Sequence, residues 1–174
     1  MVNLNYIQDK EKLLIAFDSL KDEFVPVYPL FSEWLKNTMN DYLTGSRVLL
    51  GIEYSKTTVG YVLIHYFDQS AKLNAIYVFP KFRKKGIAEE ACKVMFGNLK
   101  QKKIQILFTQ IRPEYPNARK LFKKLGFFQI GTIFNSDEQN NNDLYCISLD
   151  NFLSVEFIKK SALSIYTKYN IEWK

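Results

Sequence analysis

The chain has 174 residues, of which 47% are hydrophobic and 16% aromatic, and its formal net charge is +6. The apolar content is high enough for the chain to fold on its own, which excludes a protein too polar to form a core. The length suits one domain with its own core, residues 1–174. No apolar run approaches the ~20 residues that cross a bilayer, and residues 1–5 lack the basic start and apolar block of a secretory signal.

The two cysteines, Cys92 and Cys146, each lie in an apolar periodic segment. Buried free thiols are the ordinary interpretation of such placement, and they are typical of a reducing compartment. The sequence therefore predicts a cytoplasmic protein. One histidine and two distant cysteines do not form a metal-ligand pattern, so no metal is expected.

The first predicted element is a strand at residues 3–7, followed by a helix that Asp9 caps. A second helix is predicted over residues 31–43, where apolar side chains recur at helical spacing. The inner side of the first helix is predicted to carry Leu13, Leu14, Phe17 and Leu20.

Three strands are predicted next, and their content of Val, Ile, Leu and Tyr is typical of strands. The first two, at residues 47–54 and 58–67, are separated by a three-residue turn and form a hairpin. The third, at residues 73–78, completes an antiparallel meander. His65, the only histidine, lies in the second strand, and we interpret it as a structural residue rather than a base.

A basic run connects the third strand to a long helix. It reads Val78-Phe79-Pro80-Lys81-Phe82-Arg83-Lys84-Lys85-Gly86-Ile87-Ala88. The first N–H groups of a helix have no internal partner and carry the positive end of the helix dipole, so they bind phosphate. Gly86 leaves the backbone accessible, and Arg83, Lys84 and Lys85 add positive charge. The alternative is a basic surface that is only solvated.

The remaining elements alternate between strand and helix. An apolar strand at residues 105–111 is expected to lie parallel to the strand before the long helix. Strands at residues 127–134 and 144–149 form a last hairpin, and a helical extension of about residues 151–174 ends the chain. This order predicts an α/β (α+β) fold, a mixed and mostly antiparallel sheet with helices on both faces.

The basic run resembles the signature segment of the GNAT superfamily, the acyl-CoA N-acyltransferases. The family pattern, Arg/Gln-x-x-Gly-x-Gly/Ala after a strand that ends Val-x-Pro, is met by residues 78–88. A second family segment, an Ala-bearing helix closed by Gly-Phe, follows as residues 118–127. Because both segments occur in order and at the family's spacing, the resemblance is specific, and it covers residues 45–150 well.

The resemblance implies that acetyl-CoA is the co-substrate and that two central parallel strands splay apart around it. The peptide-like pantetheine arm would then pair with one strand, and the N–H of Val78 would stabilise the oxyanion. The diphosphate would rest on the amides of residues 83–88. The implied binding residues are Ile76, Tyr77, Val78, Arg83, Lys84, Lys85, Gly86, Ile87, Ala88, Asn117 and Phe122.

The reaction implied by the resemblance is acetyl transfer to a primary amine of a small molecule or a protein. The family's usual proton donor is a Tyr in the second segment, where this chain has Phe122. Tyr115, at a position where the family often has Asn, is the candidate catalytic residue. Two alternatives remain: the thiolate leaves unaided, or the chain is a CoA-binding module that has lost catalysis and acts as a sensor or partner protein.

The sequence also gives expectations for the partners of the protein. No nucleic-acid motif accompanies the basic clusters, so no nucleic acid is expected. Homodimerisation through the aromatic terminal helix is a hypothesis. The acceptor is not identified by residues 10–43, which carry no interpretable motif. Acidic residues that are candidates to face the acceptor are Glu33, Glu53, Asp137, Glu138 and Asp143. For the last three, which lie in the loop of the last hairpin, a solvated loop is the favoured interpretation.

Overall fold

The structure is a computed structural model that describes residues 1–26, 30–135, 140–150 and 153–174. The strands are β1 (Val2–Ile7), β2 (Arg47–Tyr54), β3 (Thr57–Phe67), β4 (Ser70–Val78), β5 (Ile106–Ile111), β6 (Phe128–Asn135), β7 (Asn140–Ser148) and β8 (Asn170–Trp173). The helices are α1 (Lys10–Phe24), α2 (Phe31–Thr44), α3 (Ile87–Gln101), α4 (Pro116–Lys124) and α5 (Val155–Ile165).

All eight strands belong to one sheet, in the order β1-β2-β3-β4-β5-β7-β6-β8. Among the described strands only β4 and β5 pair in parallel, since α3 connects them, and the other neighbouring pairs are antiparallel. The predicted mixed, mostly antiparallel sheet with a central parallel pair is therefore confirmed.

Helices cover both faces of this sheet, because successive side chains of a strand point to opposite faces. Leu50 packs in the cluster that contains α3 and α4, whereas its neighbour Leu49 packs against α1 and α2. In the same way, Leu107 faces α3 and α4, while Phe108 packs against α5. We call the first of these surfaces the α3/α4 face.

Helix α1 confirms its predicted cap, since the backbone N–H of Lys12 donates to Asp9 Oδ1 at 2.9 Å. Leu13, Phe17 and Leu20 are buried, as expected, but Leu14 is 49% exposed, so its predicted inward position is wrong. A residue next to Leu13 is turned by about 100° around the helix axis, which moves it off the buried stripe.

The sequence predicted a helical extension after residue 150, and this prediction is wrong for the last part of the chain. Helix α5 ends at Ile165, and the chain then forms β8, which pairs with β6 at the rim of the sheet. The missed signal is a two-residue alternation, typical of a strand, between exposed Asn170 and Glu172 and the partly buried side chains of Tyr169, Ile171 and Trp173.

Two strands are also longer than predicted, since β4 begins at Ser70 and β7 at Asn140. Asp137 and Glu138 lie outside the described residues. Cys92 and Cys146 are free and buried. In the described part of the chain, no helix has both the length and the apolar character needed to span a bilayer.

Candidate functional site

The centre of the sheet contains a gap between β4 and β5. The two strands pair only from Ser70 opposite Ile106 to Leu73 opposite Thr109, although β4 continues to Val78. At the last pair, which we call the fork, the hydroxyl of Thr109 donates to the carbonyl oxygen of Leu73 at 3.1 Å. Beyond the fork, residues 74–78 of β4 are not paired with β5 and border the gap.

A β-bulge explains why the strands diverge at this point. Leu63 of β3 lies opposite Ala75 and the next residue, Ile64, lies opposite Leu73, so Asn74 is an extra residue in β4. An extra residue bends the strand that carries it. Strand β5 does not follow this bend, because it stays paired with β7 as far as Ile111.

The backbone of β4 directs hydrogen-bonding groups into the gap. The N–H of Phe79 donates to the carbonyl of Val59 at 2.9 Å, and Tyr77 lies opposite Tyr61 in register. Groups of alternate residues point to opposite edges of a strand, so those of Ile76 and Val78 point away from β3. At the end of the gap, Arg83 Nε donates to the Val78 carbonyl at 2.9 Å.

The basic run forms a turn that leads into α3. Lys84 and Gly86 adopt left-handed conformations, with φ of 61° and 75°, and Gly86 is the N-cap residue of α3. Alternation of this kind turns successive N–H groups towards one point and forms an anion-binding concavity. A Cβ built on Gly86 meets no atom within 4 Å, so the space in front of this backbone is open.

A cleft of about 210 Å³ lies at this turn. Its lining comes from the end of β4, the basic turn, the first turn of α3 and one residue of α4: Val78, Phe82, Arg83, Lys84, Gly86, Ile87, Ala88, Glu89 and Leu121. The cleft therefore joins the helix N-terminus to the gap between the strands, as an elongated ligand with a phosphate end requires.

A carboxylate in the cleft, that of Glu89, is balanced by two lysines. Lys124 of α4 lies 2.6 Å from it and Lys93 lies 2.8 Å from it. The hydrogen bond from Lys124 is the larger cause and that from Lys93 the next, and they lower the pKa of the Glu89 carboxyl to about 2. The paired carboxylate links α3 to α4, and the lysines offset its repulsion of an anion at the helix start.

The sequence of the chain matches a model of the acetyltransferase (GNAT) family over residues 14–127. The chain belongs to this family. No curated protein matches it.

Solved structures with this fold include an acetyltransferase from Elizabethkingia anophelis with acetyl-CoA bound, at 20% identity and TM-score 0.58, over 65% of this chain and 82% of that one. The PaiA N-acetyltransferase of Thermoplasma acidophilum in complex with coenzyme A is 16% identical, with TM-score 0.63 over 85% and 99%. A spermidine N-acetyltransferase chimera from Vibrio cholerae SpeG and hSSAT is 16% identical, with TM-score 0.65 over 91% and 98%. At these identities the similarity shows the fold alone.

The predicted site residues of this GNAT protein fall into three groups, at the end of β4, at the turn before α3 and in α4. Ile76, Tyr77 and Val78 border the gap, and the residues from Arg83 to Ala88 form the turn and helix start. Tyr115 and Asn117, at the start of α4, are exposed, and Tyr115 is the N-cap residue. Phe122 is 5% exposed and packs against the ring of Phe127 with centroids 5.0 Å apart. The functional roles of all these residues stay predictions.

The side chain of Tyr77 contributes to an aromatic cluster that sequence reasoning missed. Its ring lies 5.7 Å from that of Phe24 in α1 and 5.8 Å from that of Phe79, and the Arg83 guanidinium stands over it at 5.2 Å. Phe24 also stacks on Phe31 of α2. Because this cluster lies opposite the α3/α4 face, it borders the gap from the other side.

The acidic candidates have other partners or positions. Glu53 accepts a hydrogen bond from Asn5 Nδ2 at 2.8 Å, beside the edge strand β1. Asp143 is ion-paired with Arg119 at 2.9 Å and accepts from Gln129 Nε2 at 2.8 Å. Glu33 is exposed in the first turn of α2. These contacts pair Glu53 and Asp143 within the fold, and a role of either residue towards the acceptor stays a prediction.

His65 lies in the paired half of the sheet, opposite Arg47 and Lys72. It is therefore distant from the end of β4 at Val78. Its position agrees with the structural interpretation. Burial first, and then the charge of Arg47, lower the pKa of its imidazole to about 4, while Asp41 raises it and Lys72 lowers it further.

The pH dependence of stability follows from this shift. Between about pH 4 and 6.5 the unfolded chain binds a proton at His65 that the folded protein does not. Stability is therefore expected to rise with pH across that window and to be lost as the pH falls through it. An NMR titration of the imidazole measures the pKa directly, since the chain has one histidine. A value at or above 6.5 contradicts this expectation.

Proposed function

We propose that the protein is an N-acetyltransferase that transfers the acetyl group of acetyl-CoA to a primary amine of a small molecule or a protein. The observation that carries this proposal is the open edge of β4, with the N–H groups of Ile76 and Val78 directed into the gap, next to the anion-binding turn. A peptide-like arm fits such an edge, since it completes the sheet as a strand does. Residues 1–174 act as one catalytic domain in this proposal.

The diphosphate of the co-substrate is assigned to the amides of residues 83–88, where φ at Lys84 and Gly86 turns the backbone outward. Gly86 admits it because no Cβ occupies the space. The guanidinium of Arg83 is committed to the Val78 carbonyl and to the Tyr77 ring, so Arg83 orders the junction between turn and strand. Lys84 and Lys85, both exposed, supply charge at the mouth.

In the transfer step, the neutral amine attacks the thioester carbon and the C–S bond breaks as the tetrahedral intermediate collapses. An N–H of β4 stabilises the oxyanion because it is fixed in direction before the reaction. A base or a chain of waters takes the proton of the amine. The amine is proposed to enter from the side of the aromatic cluster, opposite the α3/α4 face.

Tyr115 is proposed to protonate the departing thiolate, since Phe122 has no hydroxyl. Replacing Tyr115 with Phe is expected to lower kcat by at least about tenfold and to leave acetyl-CoA affinity unchanged. Steady-state kinetics and calorimetry measure the two quantities. Tyr6→Phe is the matched control, because Tyr6 has a similar exposure, 41% against 37%, but lies on edge strand β1. An unchanged kcat in Tyr115→Phe removes Tyr115 from the mechanism.

A CoA-binding module without catalysis is the second candidate, and the burial of Phe122 at the usual Tyr position favours it. One pair of measurements separates the two. Calorimetry with acetyl-CoA tests binding, and release of free CoA thiol in the presence of a panel of primary amines tests transfer. Binding with thiol release supports the enzyme, and binding without release across the panel supports the module. Absence of binding refutes both.

The proposed acceptor is a primary amine of a small molecule or a protein. A spermidine N-acetyltransferase chimera shares the fold, which supports including polyamines in the panel beside protein N-termini and lysine. The buried free thiols support a reducing, cytoplasmic location. Neither nucleic acid nor membrane is a proposed partner, and a homodimer stays a prediction. In the described residues no group of three metal-binding side chains occurs, and the proposed chemistry uses no metal.

A further inference from the structure

The fork is a closed end of the gap. Leu73 and Thr109 are 1% and 4% exposed, and the hydrogen bond between the Thr109 hydroxyl and the Leu73 carbonyl ties β4 to β5 where their parallel pairing stops. A ligand that lies along the open edge of β4 and advances from Val78 towards the fork therefore meets the two strands joined together.

The length of the open edge can be compared with the length of the co-substrate's arm. Residues 74–78 span about 16 Å at the rise of a strand. Between diphosphate and sulfur, the pantetheine arm has a chain about as long as four residues of backbone, or roughly 13 Å. With the diphosphate at the turn beyond Val78, the sulfur lies roughly one residue short of the fork. The thioester then lies nearer to Ile76 than to Val78, so the N–H of Ile76, rather than that of Val78 as the resemblance implied, is placed to stabilise the oxyanion.

The α3/α4 face is packed beyond the cleft, which opens beside Val78. Ile111 and Phe122 belong to the buried cluster there, and they are 3% and 5% exposed. The opposite side is the route of the amine in the proposed function. An acyl group at the sulfur thus has the fork ahead of it and packed apolar side chains on one flank, which leaves space for a short chain only.

We propose that Thr109 is a specificity-determining residue, whose hydrogen bond to Leu73 holds the fork closed and restricts the donor to short acyl groups such as acetyl. This inference rests on the proposed function, because it takes the arm to lie along β4. Thr109 acts here by its position in the wall of the acyl site. The Thr109 hydroxyl takes no part in proton transfer.

Two substitutions separate the hydrogen bond from the bulk of the side chain. Thr109→Val keeps the shape of the side chain but removes the donor, so the fork is held less firmly. Thr109→Ser keeps the donor and removes one methyl group. If the hydrogen bond closes the fork, selectivity changes in the first variant and is kept in the second.

The experiment measures dissociation constants of CoA, acetyl-CoA and butyryl-CoA by calorimetry for the wild type and both variants. In the wild type, butyryl-CoA is expected to bind at least about tenfold more weakly than acetyl-CoA, since the extra methylenes have no space. In Thr109→Val this preference is expected to fall by about fivefold, the factor that one hydrogen bond is worth. CoA, which has no acyl group, is expected to bind equally to all three proteins.

The outcomes distinguish this inference from the proposed function. Equal affinity of the wild type for acetyl-CoA and butyryl-CoA overturns the inference, and so does a Thr109→Val variant that binds CoA normally and keeps the full preference. A loss of preference in Thr109→Ser equal to that in Thr109→Val also overturns it, because bulk would then be the cause. Failure of the wild type to bind any of the three ligands overturns the proposed function itself.

Discussion

Replacing Gly86 with glutamate is expected to weaken the binding of CoA and acetyl-CoA by about a hundredfold or more. The new carboxylate would stand in the open space in front of the N-terminus of α3, where the diphosphate is proposed to lie. Two like charges in such contact cost several kcal/mol, which corresponds to that factor. Calorimetry with CoA measures the effect without any need for catalysis.

Two matched controls separate the causes of this loss. Gly97→Glu adds the same charge to α3 at an exposed position where a Cβ also meets nothing within 4 Å. Gly45→Glu places glutamate at another left-handed glycine, with φ of 84°, and so reproduces the backbone strain. Both controls are expected to bind CoA as the wild type does. Normal CoA affinity in Gly86→Glu would refute the assignment of the diphosphate to this turn.

Replacing Gly60 with alanine is expected to impair acyl-CoA binding from the opposite edge of β4. A Cβ on Gly60 would overlap the carbonyl oxygen of Tyr77 and lie 2.9 Å from the Cα of Val78, so the backbone at the end of β4 has to shift. We expect a loss of stability of about 1–3 kcal/mol. Since the shift occurs at the proposed arm-binding segment, affinity for CoA is expected to fall by at least about tenfold.

Gly51→Ala is the matched control for this substitution. Gly51 lies in β2 of the same sheet, and its added Cβ would have ordinary contacts, the nearest being Ile7 Cδ1 at 3.6 Å. Chemical denaturation gives the stability of both variants, and calorimetry gives their CoA affinity. A Gly60→Ala protein with the affinity of Gly51→Ala would show that the end of β4 does not bind the arm.

Much of the fold could be predicted from the sequence because its elements have strong local patterns. The hydrogen bond of the Asp9 cap, the bounds of β2 and the parallel placement of β5 all follow from residue type and connection. Strand β8 could not be predicted with equal ease. Its alternation covers only a few residues after a helical pattern, and its pairing with β6 depends on a distant part of the chain.

The candidate site divides in the same way. The turn at Gly86 could be predicted because one short run contains the strand end, the basic residues and the helix start. The pairing of Glu89 with Lys124 joins residues 35 positions apart, and no local pattern indicates it. The hydrogen bond from Thr109 to Leu73 likewise depends on where two strands separate, which the bulge at Asn74 determines.

The position of the gap has a consequence for how the protein avoids self-association. An unpaired strand edge is ordinarily a hazard, since another chain can add to it and begin an aggregate. Here the unpaired edge of β4 lies in the middle of an eight-stranded sheet rather than at its rim. Strand β5 and the helices on both faces flank this internal edge, so it is less accessible to a second chain than an edge at the rim. The unpaired groups that the proposed substrate arm would use are thereby kept away from the rim of the sheet, where other chains add.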